Sequence, residues 1–326
     1  MNAPTEDFIL NAAQRAEVIA GLNQILPAHS VLHEVEDTKP YECDGLSLFR
    51  QLPMVVALPE TEDQVIQILK LAHKLNVPVV ARGAGTGLSG GAQPHKHGIL
   101  LGMAKFNKIL KVDVQSRSAV VQPGVRNLAI SEAVAQHQLY YAPDPSSQIA
   151  CTIGGNVAEN SGGVHCLKYG LTVHNVLKVR AITIEGEIVE FGSEAPDAPG
   201  LELMNLVIGS EGMLAVVTEV TVKLVPKPAL AQVIMASFDD VANAGNAVAA
   251  VIAAGIIPAG LEMMDKRASQ MVEPFVKAGY DTEAEAILLL ESDGTPEEVA
   301  EEIAEMTRVL NGCGATAIKV SQSEAE

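Results

Sequence analysis

The chain has 326 residues, of which 48% are hydrophobic and 19% are charged, a composition typical of a packed globular protein that excludes a disordered one. This length exceeds what one compact core usually holds, so two domains are expected. The formal charge of -18 argues against nucleic acid as a partner, because a phosphate backbone would be repelled.

The first half of the chain alternates predicted strands and helices. Thr61 and Gln64 form a capping box that begins a helix reaching about residue 75. Other helices are expected over residues 11–26 and 124–138. Strands are expected over residues 55–58, 77–81, 98–102, 109–114 and 119–122. Residues 142–170 hold two prolines and five glycines, so we expect mostly loop there.

The second half begins with a predicted β-hairpin that turns at Glu185-Gly186. Its strands are residues 176–184 and 187–191, and a short helix (201–208) and a long β run (213–225) follow. Pro226 and Pro228 then indicate a domain boundary. Beyond it, strands at 232–238, 260–264, 286–291 and 315–320 alternate with helices at 241–254, 266–278 and 296–310. This alternation predicts a small α/β layer that ends in a polar tail.

Three features bear on the compartment. The first ten residues lack the basic and apolar regions of a secretory signal. The longest apolar stretch, residues 247–257, is shorter than the about 20 residues that a bilayer-spanning helix needs. The cysteines follow no C-x-x-C spacing, so we expect reduced thiols in a cytoplasmic protein rather than disulfides or a zinc site. They are Cys43, Cys151, Cys166 and Cys313.

The strongest signal is a glycine-rich segment, residues 82–91, directly after an apolar strand. Its five glycines let several backbone N–H groups point into one concavity, an arrangement that binds anions. Gly85 to Gly90 matches the G-x-G-x-x-G of a Rossmann fold, and Asp113 stands at about the spacing of that motif's acid. A Rossmann loop must open a helix, however, and residues 92–98 cannot form one. A Walker A loop is excluded because no Gly-Lys-Ser/Thr follows, so the segment predicts a pyrophosphate cradle of another kind.

Two further clusters of small residues follow. Residues 143–147 and 151–163 combine Gly and Ala with Ser, Thr and Asn, so a flat ligand could lie against the main chain with donors at its polar edge. The chain has 3% aromatic residues and no Trp, so we expect small and aliphatic side chains around such a ring. Residues 209–212 (Gly-Ser-Glu-Gly) form a third cluster, which alone favours a plain turn.

Together, these clusters resemble the FAD-binding domain of the vanillyl-alcohol oxidase family, the PCMH type. The resemblance covers about residues 50–228. It depends on Pro59-Glu60-Thr61, the three clusters and Lys168-Tyr169-Gly170 in combination. Within that family the pattern is most similar to the branch of glycolate oxidase FAD-linked subunits and D-lactate dehydrogenases. The cap domain of that branch carries a strand similar to residues 261–265.

The resemblance implies an α+β fold with non-covalent FAD. A helical lead-in (1–49) precedes a two-part FAD-binding domain (50–228) and an incomplete α/β cap domain (229–326). The first cluster would wrap the FAD pyrophosphate, the second would flank the isoalloxazine, and the third would contact the rest of the cofactor. The implied cofactor-binding residues are Pro59, Arg82, Gly83, Ala84, Gly85, Thr86, Gly87, Leu88, Ser89, Gly90, Gly91, Pro123, Gly124, Pro143, Asp144, Pro145, Ser146, Cys151, Thr152, Ile153, Gly154, Gly155, Asn156, Ala158, Asn160, Ser161, Gly162, Gly163, Tyr169, Gly170, Glu211, Gly212, Val216 and Val217.

The sequence departs from the family pattern in two places. Some relatives attach FAD through a His in the first loop, and residues 82–91 contain none, which is why non-covalent FAD is expected. The family also carries a catalytic histidine cluster of the form G-H-x-G-D-G-N-x-H in a later segment, and the chain has no such motif. The resemblance therefore implies that the chain stops inside the cap domain, and no catalytic base is assigned.

The histidines have simpler interpretations than a metal site. His95 and His97 form an H-x-H pair, but zinc needs about four ligands and no second cluster supplies them. His165 is interpreted as a hydrogen-bonded structural histidine, because such histidines are commoner than catalytic ones. Asp265 is interpreted as the start of a helix rather than part of a substrate clamp. No metal is expected.

The implied function is FAD-dependent oxidation of a 2-hydroxy acid of the glycolate or D-lactate type to the 2-oxo acid, with hydride transfer to flavin N5. Electrons would leave to a partner subunit, and the protein would be cytoplasmic or peripheral at the inner membrane through such subunits. Two alternatives stay open: a flavin-binding subunit without turnover, and a different oxidoreductase reaction on the same fold.

Overall fold

The computed structural model describes residues 9–194 and 200–323. Our interpretations of the extreme N-terminus and of the last three residues of the polar tail lie outside this part of the chain. The chain divides into two compact units. Unit 1 comprises Met1–Tyr141, Ser147–Ser161 and Thr172–Val225, and unit 2 comprises Ala142–Ser146, Gly162–Leu171 and Pro226–Glu326. The three-part domain division expected above stays a prediction.

Helices and strands are mixed throughout, which confirms the α+β class. The helices are α1 (Ala12–Ile25), α2 (Val35–Thr38), α3 (Glu62–Lys74), α4 (Asn127–Val134), α5 (Ile153–Glu159), α6 (Cys166–Tyr169), α7 (Thr172–Asn175), α8 (Met204–Val207), α9 (Val241–Ala253), α10 (Lys266–Val276) and α11 (Pro296–Gly312). The strands are β1 (Val31–Leu32), β2 (Val55–Ala57), β3 (Val79–Arg82), β4 (Ile99–Gly102), β5 (Ile109–Asp113), β6 (Ser118–Val121), β7 (Leu139–Tyr140), β8 (Val176–Ile182), β9 (Ile188–Gly192), β10 (Val216–Lys223), β11 (Val225–Pro226), β12 (Leu230–Phe238), β13 (Gly260–Asp265), β14 (Ala286–Gly294) and β15 (Ala317–Val320). Every element predicted outside residues 142–170 is present within a few residues of its expected bounds.

Helix α3 shows how local sequence determines an element of unit 1. The predicted capping box is confirmed, because the Thr61 side chain accepts from the Gln64 N–H and the Gln64 side chain accepts from the Thr61 N–H. The buried residues Val65, Ile68, Leu69 and Ala72 recur at helical spacing and form one apolar face. That face packs into the core of the first sheet, which has the order β1-β2-β4-β3 with β2, β4 and β3 parallel. All four residues of β4 are buried, as expected for an inner parallel strand.

The second sheet of unit 1 is antiparallel, with the order β5-β6-β10-β8-β9. The predicted hairpin is confirmed: β8 and β9 pair, and Gly186 takes a φ of +78° in the turn between them. A separate core on this sheet includes Val179, Val220, Ile130, Ile153 and Val157, each almost fully buried. The two sheets place the ends of β3 and β10 and the helix α5 where a cleft can form in this unit.

The expectation of mostly loop in residues 142–170 is wrong for residues 153–159, which form helix α5, and for α6. Two glycines cost about 1 kcal/mol each in a helix relative to Ala. Burying Ile153 and Val157 gains about 1.5–3 kcal/mol each, so packing outweighs propensity. Gly154 is required for that packing, because a Cβ there would lie 2.5 Å from Cβ of Pro123, to whose carbonyl the Gly154 N–H donates at 2.8 Å.

Unit 2 is built on a four-stranded sheet with the order β13-β14-β12-β15, in which every pairing is antiparallel. Strand and helix alternate as predicted, and α9 and α11 pack on the sheet through Phe238, Ala247, Val251, Leu288 and Met306. Asp265 caps α10, since its side chain accepts from the Ala268 N–H at 2.8 Å, which confirms that interpretation.

The fold also bears on membrane-spanning helices and on the state of the cysteines. Within residues 9–194 and 200–323, none of the helices combines the length and apolar composition that a membrane crossing demands. Cys43, Cys151, Cys166 and Cys313 are all free thiols, and Cys151 is buried.

Candidate functional site

Unit 1 contains a cleft with about 1070 Å³ of empty space, including open solvent at its mouth. Three segments form it: the loop after β3, the helix α5 with the residues before it, and the turn that leads into β10. These are the three glycine clusters of the sequence, brought to one place by the two sheets.

The loop after β3 supplies hydrogen-bond donors. Residues 44 and 45 hold its second half in place: the Gly45 N–H donates to the Gly87 carbonyl (2.9 Å), and the Gly90 N–H donates to the side-chain oxygen Asp44 Oδ2 (3.0 Å). By contrast, no described residue accepts a hydrogen bond from the N–H groups of residues 83–88. Gly85 takes a φ of +71°, a conformation that lets successive N–H groups turn toward the same side. The loop is therefore a set of free donors that suits an anion.

Arg82 places a buried cation beneath this loop. Its side chain is 8% exposed, donates to the Ala92 carbonyl at 3.2 Å, and lies 5.9 Å from the centre of the Tyr41 ring. A Cβ on Gly85 would stand 2.2 Å from Arg82 Nη2, so the glycine lets the guanidinium reach the loop backbone. Burial lowers the pKa of Arg82, and the charges of Cys43, Asp44 and Tyr41 offset only part of that decrease. The residue therefore adds positive charge at this end of the cleft.

Thr152 carries a polar atom that nothing in the described protein satisfies. Its residue is 6% exposed, it precedes α5 as the N-cap, and its Oγ1 has no hydrogen-bond partner. A Cβ on Gly83 would lie 2.2 Å from this Oγ1, which places the hydroxyl directly against the donor loop. A buried hydroxyl without a partner costs about 1–3 kcal/mol, so the atom indicates a polar ligand.

The opposite part of the cleft is acidic. Ser89 Oγ donates to both carboxylate oxygens of Glu159, at 2.6 and 2.7 Å. The carboxyl group of Glu211 lies within hydrogen-bond reach of Glu159, and burial and the charge of Glu159 raise the pKa of Glu211. The cleft thus has a donor-rich end at Arg82 and Thr152 and a carboxyl pair against residues 87–91.

The remaining walls are small and aliphatic. Ala81, Met103, Val207, Ala215 and Val216 line the cleft, and no aromatic side chain of the described residues does. Such walls let a flat ring approach the main chain, as the low aromatic content predicts.

The structure places many of the predicted cofactor-binding residues in this cleft. Those that line it are Arg82, Gly83, Ala84, Gly85, Thr86, Gly87, Gly91, Pro123, Cys151, Thr152, Gly154, Gly155, Asn156, Ala158, Ser161, Glu211, Gly212, Val216 and Val217. The turn at 209–212, which alone favoured a plain turn, contributes three of its residues. Sequence reasoning missed Ala81, Ala92, Met103, Ser147, Glu159, Val207, Ser210 and Ala215. For Ser147, Glu159 and Ser210 a signal existed, because all three stand inside the second and third clusters.

Other predicted residues lie outside the cleft lining and stay predictions. In unit 1 these are Pro59, Leu88, Ser89, Gly90, Gly124, Ile153 and Asn160, and in unit 2 they are Pro143, Asp144, Pro145, Ser146, Gly162, Gly163, Tyr169 and Gly170. Gly124 has a structural reason to be glycine, since a Cβ there would lie 2.6 and 2.7 Å from the carbonyl oxygens of Met103 and Phe106.

Unit 2 holds a separate group of ionisable side chains. His165 lies between two carboxylates, with Nδ1 2.6 Å from Asp144 Oδ2 and Nε2 3.2 Å from Glu291 Oε2. These hydrogen bonds, that of Asp144 first, raise the pKa of His165 to about 10. Lys168 pairs with Asp293, and the Tyr169 hydroxyl donates to Asp293 Oδ2 at 2.5 Å. His165 is therefore an imidazolium at neutral pH and cannot act as a base there.

The H-x-H pair has a local arrangement of its own: the His97 N–H donates to His95 Nδ1 at 3.1 Å. In the part of the chain that the structure describes, His, Cys, Asp and Glu side chains form no group of three or more that could hold a metal ion.

Comparison with known proteins gives two family matches. Residues 53–192 match the FAD binding domain, and residues 227–326 match the C-terminal domain of FAD linked oxidases. The chain is 57% identical over 320 residues to the glycolate oxidase subunit GlcD of Escherichia coli K12, covering 98% of this chain and 64% of that protein. It is 36% identical over 269 residues to a D-lactate dehydrogenase of Archaeoglobus fulgidus, covering 81% of this chain and 60% of that one. The chain thus spans less than two thirds of the length of these relatives.

The fold is also similar to solved structures. A crystal structure of p-cresol methylhydroxylase with substrate bound superposes with a TM-score of 0.80, covering 95% of this chain and 67% of the other at 17% identity. This likeness confirms the PCMH-type fold expected from the sequence.

Proposed function

Because the chain belongs to the family of FAD-linked oxidases, we propose that it binds FAD non-covalently in the unit 1 cleft and serves the oxidation of a 2-hydroxy acid to the 2-oxo acid. The proposed substrate class is based on the 57% identity to a glycolate oxidase subunit. Relatives named as D-lactate dehydrogenases support the same class. Glycolate and D-lactate share a hydroxyl group on the carbon next to a carboxylate, so one site chemistry could serve either.

The residues of the cleft fit the diphosphate of FAD. The free N–H groups of residues 83–88, the Arg82 guanidinium and the Thr152 hydroxyl would hold its oxygens. The aliphatic wall with Val207, Ala215 and Val216 would exclude water from a flat ring. When bound, FAD would supply the redox chemistry as a hydride acceptor.

The hydroxyl proton must go to a base, and His165 does not fit that role. Its imidazole is already protonated near neutral pH, with a pKa of about 10, and both ring nitrogens face carboxylates. We assign His165 to holding Asp144 and Glu291 together in unit 2. We propose that electrons pass to a partner subunit, since a relative at 57% identity is a subunit of glycolate oxidase, and that such a partner would hold the chain at the inner membrane.

The substrate class is tested by anaerobic reduction of the purified, FAD-loaded chain. We expect glycolate or D-lactate to bleach the flavin absorbance, with L-lactate and acetate as controls. Bleaching by none of them, in a protein that holds FAD, would contradict the oxidase proposal and favour a flavin-binding subunit without turnover. Bleaching only by an alcohol without a carboxylate would favour a different reaction on the same fold.

We predict that the chain holds about one FAD and releases it on denaturation by acid or heat. The physical reason is that the donor loop contains no His to attach the flavin. Absorbance of the supernatant after precipitation measures the released flavin. Yellow fluorescence that stays with the polypeptide on a denaturing gel would contradict the prediction, and Cys151, a thiol lining the cleft, would then be the first position to map.

Thr152→Val should have opposite effects on the free and the FAD-bound protein. The isosteric change removes a buried hydroxyl without a partner, so we expect the free protein to gain about 1 kcal/mol of unfolding free energy. The same change removes one donor to the ligand, so FAD should bind about tenfold more weakly.

Urea denaturation without FAD and calorimetric titration with FAD measure the two effects. Thr221→Val, at a buried threonine of β10 outside the cleft lining, is the control for the substitution itself. Unchanged affinity for FAD in Thr152→Val would show that the hydroxyl faces no ligand.

A further inference from the structure

The carboxyl pair in the cleft carries the same sign of charge as the anion that the donor loop fits. Glu159 and Glu211 both line the cleft, within hydrogen-bond reach of each other. A Cβ on Gly91 would lie 2.0 Å from Glu211 Oε2, and one on Gly87 would lie 2.7 Å from Glu159 Oε1. Both carboxyl groups therefore lie against the same loop whose free N–H groups suit a diphosphate. Two ionised carboxylates there would repel that ligand.

The backbone holds Glu211 in this position at a conformational cost. Glu211 has a φ of +55°, in the left-handed region that non-glycine residues rarely adopt, between Gly209 (φ +84°) and Gly212 (φ +71°). The turn is fastened to α5, because the Gly209 N–H donates to the Val157 carbonyl (2.8 Å) and the Glu211 N–H to the Ala158 carbonyl (2.9 Å). The same helix ends at Glu159, so the two carboxyl groups are brought together by main-chain hydrogen bonds. Strain kept at a ligand site favours a functional role.

Among residues 9–194 and 200–323, the groups next to the pair do not neutralise it. Glu159 accepts from the Ser89 hydroxyl, a neutral donor, and only burial and Glu159 itself perturb Glu211. Asp44, outside the loop, accepts hydrogen bonds from the N–H groups of Leu46 and Gly90. Arg82 lies at the other end, bound to the Ala92 carbonyl and facing Tyr41. Two carboxyl groups in contact without a cation are most stable when they hold one proton between them.

We propose that the Glu159–Glu211 pair is a proton-linked part of the cofactor site, so that FAD binds when the two carboxyl groups share one proton and takes that proton up from solution when they do not. This inference rests on the proposed binding of FAD in this cleft. A second observation marks the cleft as a ligand site: the 6%-exposed Thr152, whose Oγ1 lacks a partner and is directed at the donor loop. Burial and the charge of Glu159 raise the pKa of Glu211, which moves the linkage above the ordinary range of a carboxyl group.

Calorimetric titration of the flavin-free chain with FAD tests the linkage. Titrations in two buffers of different ionisation enthalpy give the number of protons taken up on binding. Above the ordinary titration range of a carboxyl group we expect a pH window with uptake of about 0.5–1 proton, in which the Kd rises by up to about tenfold per pH unit. Below the window the pair already holds its proton, so the Kd should level off.

Glu211→Gln removes one charge while keeping the shape of the side chain. We expect proton uptake below about 0.2, a flat dependence of Kd on pH, and, at the alkaline end of that window, binding about tenfold tighter than in the unaltered chain. Glu159→Gln should act in the same direction, which guards against a folding defect in one variant. Glu17→Gln, at an exposed residue of α1, is the matched control and should keep the proton uptake and the pH dependence of the unaltered chain.

The outcomes separate this inference from the proposed function. Absence of FAD binding at every pH would overturn both. Binding of FAD without proton uptake would overturn the linkage alone, as would equal uptake in Glu211→Gln, Glu159→Gln and the unaltered chain.

Discussion

Gly85→Val is expected to weaken FAD binding by at least about 100-fold. The substitution puts a β-branched residue at a φ of +71° and a Cβ 2.2 Å from Arg82 Nη2. Arg82 cannot move aside freely, because it is buried, bound to the Ala92 carbonyl and stacked near Tyr41. Loss of about two charge-assisted hydrogen bonds, each worth about 1.5 kcal/mol or more, gives this factor.

Calorimetric titration with FAD measures the loss, and circular dichroism shows whether the variant folds. Gly255→Ala is the control for strain alone, since Gly255 has a φ of +84° with nothing within 4 Å of an added Cβ. It should lose stability without losing affinity for FAD. Gly87→Val tests another glycine of the loop, where the added Cβ would meet Glu159 Oε1 at 2.7 Å without any constraint on φ. Unchanged affinity in a folded Gly85→Val protein would place the cofactor elsewhere.

Asp144→Asn is expected to lower the pKa of His165 from about 10 by about two units or more. The reason is that it removes the carboxylate whose hydrogen bond raises this pKa most. NMR titration of the imidazole protons gives this pKa directly. Asp239→Asn, at an exposed aspartate of unit 2, should leave it unchanged. A His165 that titrates near 6.5 in the unaltered chain would contradict the ion cluster.

The His165–Asp144 pair should also make the free energy of unfolding depend on pH. A histidine whose pKa is raised in the folded protein contributes stability that is complete below its unfolded pKa of about 6.5 and is lost as the pH rises through about 10. With side chains 28% and 18% exposed, solvent screens the His165–Asp144 pair in part, so we expect a loss of about 1–3 kcal/mol over that window. Urea denaturation at both ends of the window measures the loss, and Asp144→Asn should reduce it.

The amino-acid sequence by itself determined the elements whose local signals agree with their burial. Thr61 and Gln64 cap α3, and Val65, Ile68, Leu69 and Ala72 are spaced so that any helix here must have one apolar face. Glu185-Gly186 between two apolar runs determined the hairpin, because the turn needs a positive φ that Gly186 supplies. The glycine-rich loop indicated an anion site, since its residues can turn their N–H groups to one side wherever the loop lies in the fold.

Only the tertiary structure decided the other features. Helix α5 forms against its glycine content because Ile153 and Val157 enter the core and Gly154 contacts Pro123, and none of these contacts is local in sequence. The orphan hydroxyl of Thr152 and the strained Glu211 beside Glu159 depend on segments about 50–70 residues apart, which the sheets bring together. The protonation of His165 likewise depends on Glu291, 126 residues away along the chain. Spacing and composition report what a segment can form, whereas the charge and the hydrogen-bond partners of a buried group depend on which distant segments pack around it.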